Sequence, residues 1–255
     1  MQTKKAKKAK KPLGFILFEG PSAIDGAPIV VIATAVTKKA ANRKTGDMVQ
    51  IVILRADVSP TDAIAASLDV SICGNCPHRG SLKKHARNGK AKKVRTCYVN
   101  VGQGPNSIWE AHKRGRYVVG TMSDVIAASN GKAVRLGTYG DPAAAPFEVW
   151  QELLDHPTIK RTGYTHQWRN CDQRMRNLCQ ASCDSVLEAA DAAQMGWHAF
   201  LVRPANAEGK PSTGRRSIEC LADRNGLDCA TCGACNGLKV DVWIRAHGTA
   251  KQYVG

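Results

Sequence analysis

Ala133-Val134-Arg135-Leu136-Gly137-Thr138-Tyr139-Gly140-Asp141-Pro142 reads as an apolar strand, residues 133–136, running into a glycine-rich turn. A helix follows, with Phe147, Trp150, Leu153 and Leu154 on one face. The next strand, residues 160–165, ends at His166-Gln167-Trp168. Ser185 then caps an alanine-rich helix (Ala189, Ala190, Ala192, Ala193) that stops at Gly196. Residues 197–202 and 238–246 supply two more strands. Strands alternating with helices at this spacing predict parallel strands with helices outside. The units are too few for an eight-stranded barrel. The expected fold is therefore α/β: a partial (β/α) barrel or open, mostly parallel sheet with a cysteine-rich C-terminal segment. Ligands of such sheets bind at the carboxyl ends of strands, which makes Asp141, His166 and Arg203 pocket candidates. Asp141 in Gly-Asp-Pro is also a plain turn residue, and single histidines such as His166, His198 and His247 are often packed or solvated.

Upstream, residues 13–18, 28–34 and 48–54 are apolar runs bounded by Gly, Pro and Asp, hence strands. Ser59-Pro60 opens a short helix, Pro105-Asn106 another through Trp109 and His112, and Ser123 a third that stops at Asn130-Gly131. Residues 94–101 read as a strand containing Cys97. One domain, 13–255, follows a basic tail, 1–12.

The chain of 255 residues carries ten cysteines. The densest group, within residues 217–237, is Cys220 followed by Cys229-x2-Cys232-x2-Cys235. Thiols at steps of three with small residues between them converge on one point, as the ligands of a [4Fe–4S] cluster do. Zinc held by four thiolates is the direct competitor, and disulfides between cysteines this close would be strained. Cys73-x2-Cys76 and Cys97 form a second group. Three thiolates on a four-iron cluster leave one iron open to water, substrate or a chelating cofactor. His78 or a distant cysteine could close that shell, and zinc on Cys73, Cys76, Cys97 and His78 would make a nucleic-acid-binding finger. Cys171, Cys179 and Cys183 are either structural thiols or extra metal ligands, the last two at the spacing of one helical turn.

The formal charge of +16 is concentrated in two acid-free blocks: six lysines in the tail and eight Lys or Arg residues in a loop over 79–95. Lys83, Lys84, Arg87, Lys90, Lys92, Lys93 and Arg95 are the anion-binding candidates, with nucleic acid or another polyanion as partner and a solvated loop as the plainer reading. Aromatic residues do not interleave the lysines, so base stacking is not indicated. No apolar run reaches membrane-spanning length. A cytoplasmic location is expected, where this many cysteines point to metal or redox chemistry, with a reductant as partner if the protein is redox-active.

Arg135-Leu136-Gly137-Thr138-Tyr139-Gly140-Asp141-Pro142 with its helix, Gly163-Tyr164-Thr165-His166-Gln167-Trp168, the Cys76…Cys97 segment, the 189–202 helix–strand unit and Cys229…Cys235 running on to His247 occur in this order. The pattern, over about residues 70–248, resembles a group of phage-encoded cysteine-rich proteins distantly similar to the radical S-adenosylmethionine (SAM) barrel. The resemblance implies a partial (β/α) barrel, a four-iron cluster, SAM as a further ligand, and a bacterial host cytosol. One departure counts: the chain has no C-x3-C-x2-C motif, because Val186 stands where Cys179-x3-Cys183 would need its third cysteine. SAM cleavage is accordingly not inferred. The expected function is that of an iron–sulfur protein acting on or near nucleic acid, with a zinc-stabilised, non-catalytic nucleic-acid-binding protein as the alternative.

Overall fold

The computed structural model describes residues 13–40, 42, 44–84, 91–247, 251 and 254; the basic tail 1–12, Arg87 and Lys90 lie outside them, as do the side chains of 81–84, 91–94 and 223. The strands are Phe15–Pro21 (β1), Pro28–Thr34 (β2), Val49–Arg55 (β3), Ser81–Lys84 (β4), Ala91–Val94 (β5), Val118–Val119 (β6), Val134–Tyr139 (β7), Arg161–Thr162 (β8), Tyr164–Thr165 (β9), Gln180–Cys183 (β10), Ala199–Arg203 (β11), Ser217–Glu219 (β12) and Asp241–Arg245 (β13). The helices are Pro60–Ala65 (α1), Val70–Cys73 (α2), Gly104–Lys113 (α3), Met122–Ala128 (α4), Glu148–Asp155 (α5), Val186–Gln194 (α6), Leu221–Asn225 (α7) and Cys229–Cys232 (α8).

One sheet has the order β6-β1-β2-β3-β7-β8 and the other β12-β13-β11-β10-β9. In the first, only β1–β2 and β2–β3 are antiparallel; the second is parallel throughout. A single residue, Gly163, separates the edge strands β8 and β9, so the backbone passes directly from one sheet into the other. A Cβ at Gly163 would sit 2.9 Å from Leu136 Cβ and 3.0 Å from Cys179 Cβ, and only glycine lets the sheets approach there. The expected open α/β arrangement is thus present, with β3, β7 and β8 paired in parallel in one sheet and β9, β10, β11, β13 and β12 in the other.

The main core fills both faces of the first sheet: β3 is buried at all seven positions, as a strand between two covered faces must be. Trp150, Trp168 and Trp197 are fully buried. A smaller cluster lies on the other face of the second sheet, where Tyr164, Phe200, Val242 and Ile218 pack against Cys232, Ala234 and Cys235. No helix among the described residues is long and apolar enough to cross a membrane.

Several local expectations change. Thr121, not Ser123, caps α4, because Thr121 and Asp124 form a reciprocal capping box. The strand expected over 94–101 ends at Val94; Arg95 Nη1 instead donates to the carbonyls of Cys97 (3.2 Å) and Val99 (3.1 Å), taking acceptors that a ladder would need. The expected basic loop contains an antiparallel hairpin, β4–β5. Cys179 and Cys183 do not lie on a helical turn: Cys183 closes β10 and Cys179 immediately precedes it.

Candidate metal centre

Asp141, His166 and Asp184 each follow the carboxyl end of a parallel strand, β7, β9 and β10 respectively. The α2 segment reaches the same place: Asp141 N–H donates to the Ile72 carbonyl (2.6 Å), and Gln167 Nε2 to that of Cys73 (3.3 Å). Gly74, at φ 55°, lets the chain turn out of α2 beneath the Gln167 side chain and on to Cys76 and His78. From below, α2 is held by Arg55, whose Nη1 donates to Ser71 Oγ (2.9 Å), and by the Arg79–Asp69 ion pair at 2.8 Å.

Two imidazoles meet on one carboxylate here. His78 Nε2 lies 2.7 Å from Asp184 Oδ1, and His166 Nε2 lies 3.3 Å from Asp184 Oδ2 and 4.0 Å from Cys76 Sγ. The other ring nitrogen of His78 is 2.8 Å from Thr96 Oγ1. The Asp141 carboxylate is spent internally, accepting from Ala143 N–H (2.9 Å) and His166 N–H (2.8 Å), so it positions the site from below rather than lining it. Cys73, Cys76 and Cys97 are within electrostatic reach of one another; burial raises the Cys73 thiol well above its usual range, and raises Cys97 against the opposing Arg95 guanidinium.

Burial disfavours charge on His166, but the Asp184 carboxylate and Cys76 push its pKa up to about 10. Burial likewise opposes charge on Asp184, yet the bonds from His166 and His78 hold its carboxyl well below the usual range. The folded histidine pKa lies above the ordinary ~6.5, so its contribution to stability is complete below that pH and lost as pH rises through about 10. The Asp184 contribution is present above about pH 4 and lost as pH falls through its lowered folded value. Before any metal is added, the contact is therefore at full strength between about pH 4 and 6.5. Asp184→Asn should bring the imidazole titration of His166, followed by NMR, down to the ordinary ~6.5 or below; an unmoved midpoint would refute this account.

The C-terminal cysteines form a separate group. Asp228 caps α8 by accepting from Thr231 N–H (2.8 Å), and the loop after β2 accepts two α8 donors, Cys229 N–H at Lys44 O (3.1 Å) and Ala230 N–H at Thr45 O (3.0 Å). The Cys235 carbonyl accepts from Gly163 N–H (3.3 Å), fixing the segment to the junction of the sheets. Burial pushes the Cys235 thiol up to about 12, and Cys220, Cys229 and Cys232 add to this from close by. Arg135 is buried next to this group, its Nη2 2.8 Å from Tyr98 Oη and its guanidinium over the Tyr164 ring. It is the cation that faces Cys229 and Cys235.

Among the described residues, His78, His166 and Asp184 are the one set of three or more ligand atoms lying within 4.8 Å of one another. No three of the C-terminal thiols meet that criterion, although Cys220, Cys229 and Cys232 are all in electrostatic reach of Cys235.

Comparison with protein-family models, curated proteins and solved structures finds no match. The remaining candidates fall elsewhere. Arg203 donates to the Gly209 (2.6 Å) and Glu208 (2.9 Å) carbonyls and lies over Trp243, on the sheet face opposite Phe200, away from His166. Cys179 and Cys183 are fully buried in the main core, as structural thiols are. Cys171 borders a cleft of about 310 Å³ lined also by Ala143, Phe147, Gln167 and Asn170. His198 pairs with buried Asp241 (3.1 Å), and the His247 ring meets that of Tyr98 at a tilt of 48°. Arg95 is committed to backbone carbonyls, and the side chains of Lys83, Lys84, Lys92 and Lys93 lie outside the described residues. Asp184, Thr96 and Arg135 escape a reading of the sequence. For Asp184 the available signal is an acid placed between a strand and the helix cap Ser185.

Proposed function

We propose that the protein is an iron–sulfur protein whose Cys220, Cys229, Cys232 and Cys235 hold a four-iron cluster against the second sheet. The observation that carries this reading is the gathering of four thiols against a partly buried aromatic surface and beside a buried guanidinium. Their surroundings suit an anionic group. Tyr164 and Phe200 exclude water on one side, and Arg135 offsets thiolate charge. When bound, such a cluster supplies electron transfer or structural bracing. The protein residues keep it dry and tune it through Arg135. A shell closed by four cysteines leaves no position for substrate, which places any chemistry on substrate at the carboxyl ends of the strands.

Anaerobic isolation followed by iron, sulfide and zinc determination tests the proposal. The expected result is a brown protein with about four iron and four sulfide per chain, lost in Cys232→Ala and retained in Cys73→Ala. A further iron and sulfide complement lost selectively in Cys73→Ala would locate a second cluster on Cys73, Cys76 and Cys97. A colourless protein with stoichiometric zinc and no sulfide would overturn the cluster assignment.

A further inference from the structure

We propose that His78, His166 and Asp184 hold a single divalent transition-metal ion at the carboxyl ends of β9 and β10, with the Cys76 thiolate as fourth ligand. None of these donors belongs to the C-terminal quartet, so the proposal stands apart from that cluster; a second cluster on Cys73, Cys76 and Cys97 would compete with it for the Cys76 thiolate.

The geometry is close to that of a first coordination shell. Around a tetrahedral ion with bonds of about 2.0–2.3 Å, neighbouring donor atoms stand roughly 3.3–3.6 Å apart. The donor separations here are 2.7 Å (His78–Asp184), 3.3 Å (His166–Asp184) and 4.0 Å (His166–Cys76), which bracket that range. Shifts of a few tenths of an ångström at His78, His166 and Asp184, with a larger swing of the Cys76 side chain, which lies outside the 4.8 Å set, admit the ion. Both imidazoles turn Nε2 toward the same carboxylate, in the place where an ion would replace the protons they now share with it.

The supporting contacts are those a metal-binding histidine needs. Thr96 Oγ1 takes the Nδ1 side of His78 and so aims Nε2 at the centre. His166 is set by the buried Asp141 carboxylate on its backbone N–H, and Asp184 by Glu188 on its own (2.7 Å). The His78 carbonyl in turn accepts from Cys97 N–H (3.0 Å), tying in the segment that carries Thr96. The side chains are 17%, 17% and 26% exposed for His78, His166 and Asp184, enough for an ion to enter from solvent.

The donor set selects the metal. Two imidazoles, a carboxylate and a thiolate carry two negative charges in all, matching a divalent ion. Nitrogen and sulfur donors favour zinc or ferrous iron over the oxygen-seeking magnesium and calcium. The site's place at the strand ends, beside the segment bearing Cys73 and Cys97, makes this ion the one to meet a substrate.

Cobalt(II) is the probe. Full-length protein, dialysed anaerobically against a chelator, should bind one equivalent with the visible bands of a tetrahedral ion and a sulfur-to-cobalt charge-transfer band. Cys76→Ser should lose the charge-transfer band and keep the visible ones. Thr96→Val should weaken binding by about ten- to a hundredfold. Asp184→Asn and His78→Ala should abolish it while keeping the parent circular dichroism and any cluster chromophore. Cys232→Ser should remove the cluster and leave the cobalt site, so that the two assignments fail separately. Folded Asp184→Asn that binds cobalt as the parent does, or cobalt binding lost in Cys232→Ser instead, would overturn the proposal.

Discussion

Alanine at Gly237 should cost the protein about 2–5 kcal/mol and release the C-terminal cysteines from the sheet. Gly237 adopts φ 80°, a left-handed conformation that costs an L-residue about 1–2 kcal/mol. The new Cβ would also meet the Arg176 carbonyl oxygen, Cys179 O at 2.7 Å and Cys179 N at 3.1 Å. All of these are backbone atoms ahead of β10, which cannot move aside without shifting the strand, and overpacking of this kind adds about 1–3 kcal/mol. Gly209 separates the two contributions: its φ is 63° but nothing lies within 4 Å of its would-be Cβ. Gly209→Ala should therefore cost only about 1–2 kcal/mol. Chemical denaturation of both variants measures the difference. Equal losses would show that the Gly237 contacts yield, and that the cysteine segment is not pinned there.

Asp141→Ala should be comparably damaging, at about 3–5 kcal/mol, because it strands the N–H groups of Ala143 and His166 and the Thr165 hydroxyl in a buried place. Each unsatisfied buried donor costs about 1–3 kcal/mol. For a chain of this size the midpoint of thermal unfolding should fall by roughly 10 °C. Asp141→Asn keeps one oxygen acceptor but turns an amide N–H₂ toward a donor, and should cost about half as much. Hydrogen exchange at the His166 amide offers a second readout, since that bond is lost in Asp141→Ala. A midpoint within 2–3 °C of the parent for Asp141→Ala, about 1 kcal/mol, would refute the anchoring role.

Much of this was legible beforehand for reasons that can be named residue by residue. The Phe147, Trp150, Leu153 and Leu154 face, the Ser59 and Ser185 caps and the apolar runs of β2 and β3 are periodicities and dipeptides carried by near neighbours in the chain. The same holds for Cys229, Cys232 and Cys235, whose approach to one another is largely dictated by their spacing. Cys179 and Cys183 misled because a spacing of four suits a helix face and equally one side of a strand. The Arg203 position, at the end of a strand as expected, concealed its side chain's opposite direction, which depends on strand phase.

Alone, the sequence of amino acids determined the α/β class, the run of parallel strands and the two cysteine groups, because hydrophobic periodicity and ligand spacing are local. Only the tertiary structure joined His78 to Asp184, 106 positions apart, and set Arg135 beside the last cysteines. Those meetings depend on the order in which distant strands pair, with β13 inserted between β11 and β12 and Gly163 letting one sheet run into the next. Long-range pairing of that kind is settled by packing of the whole core, and no short window of residues contains it.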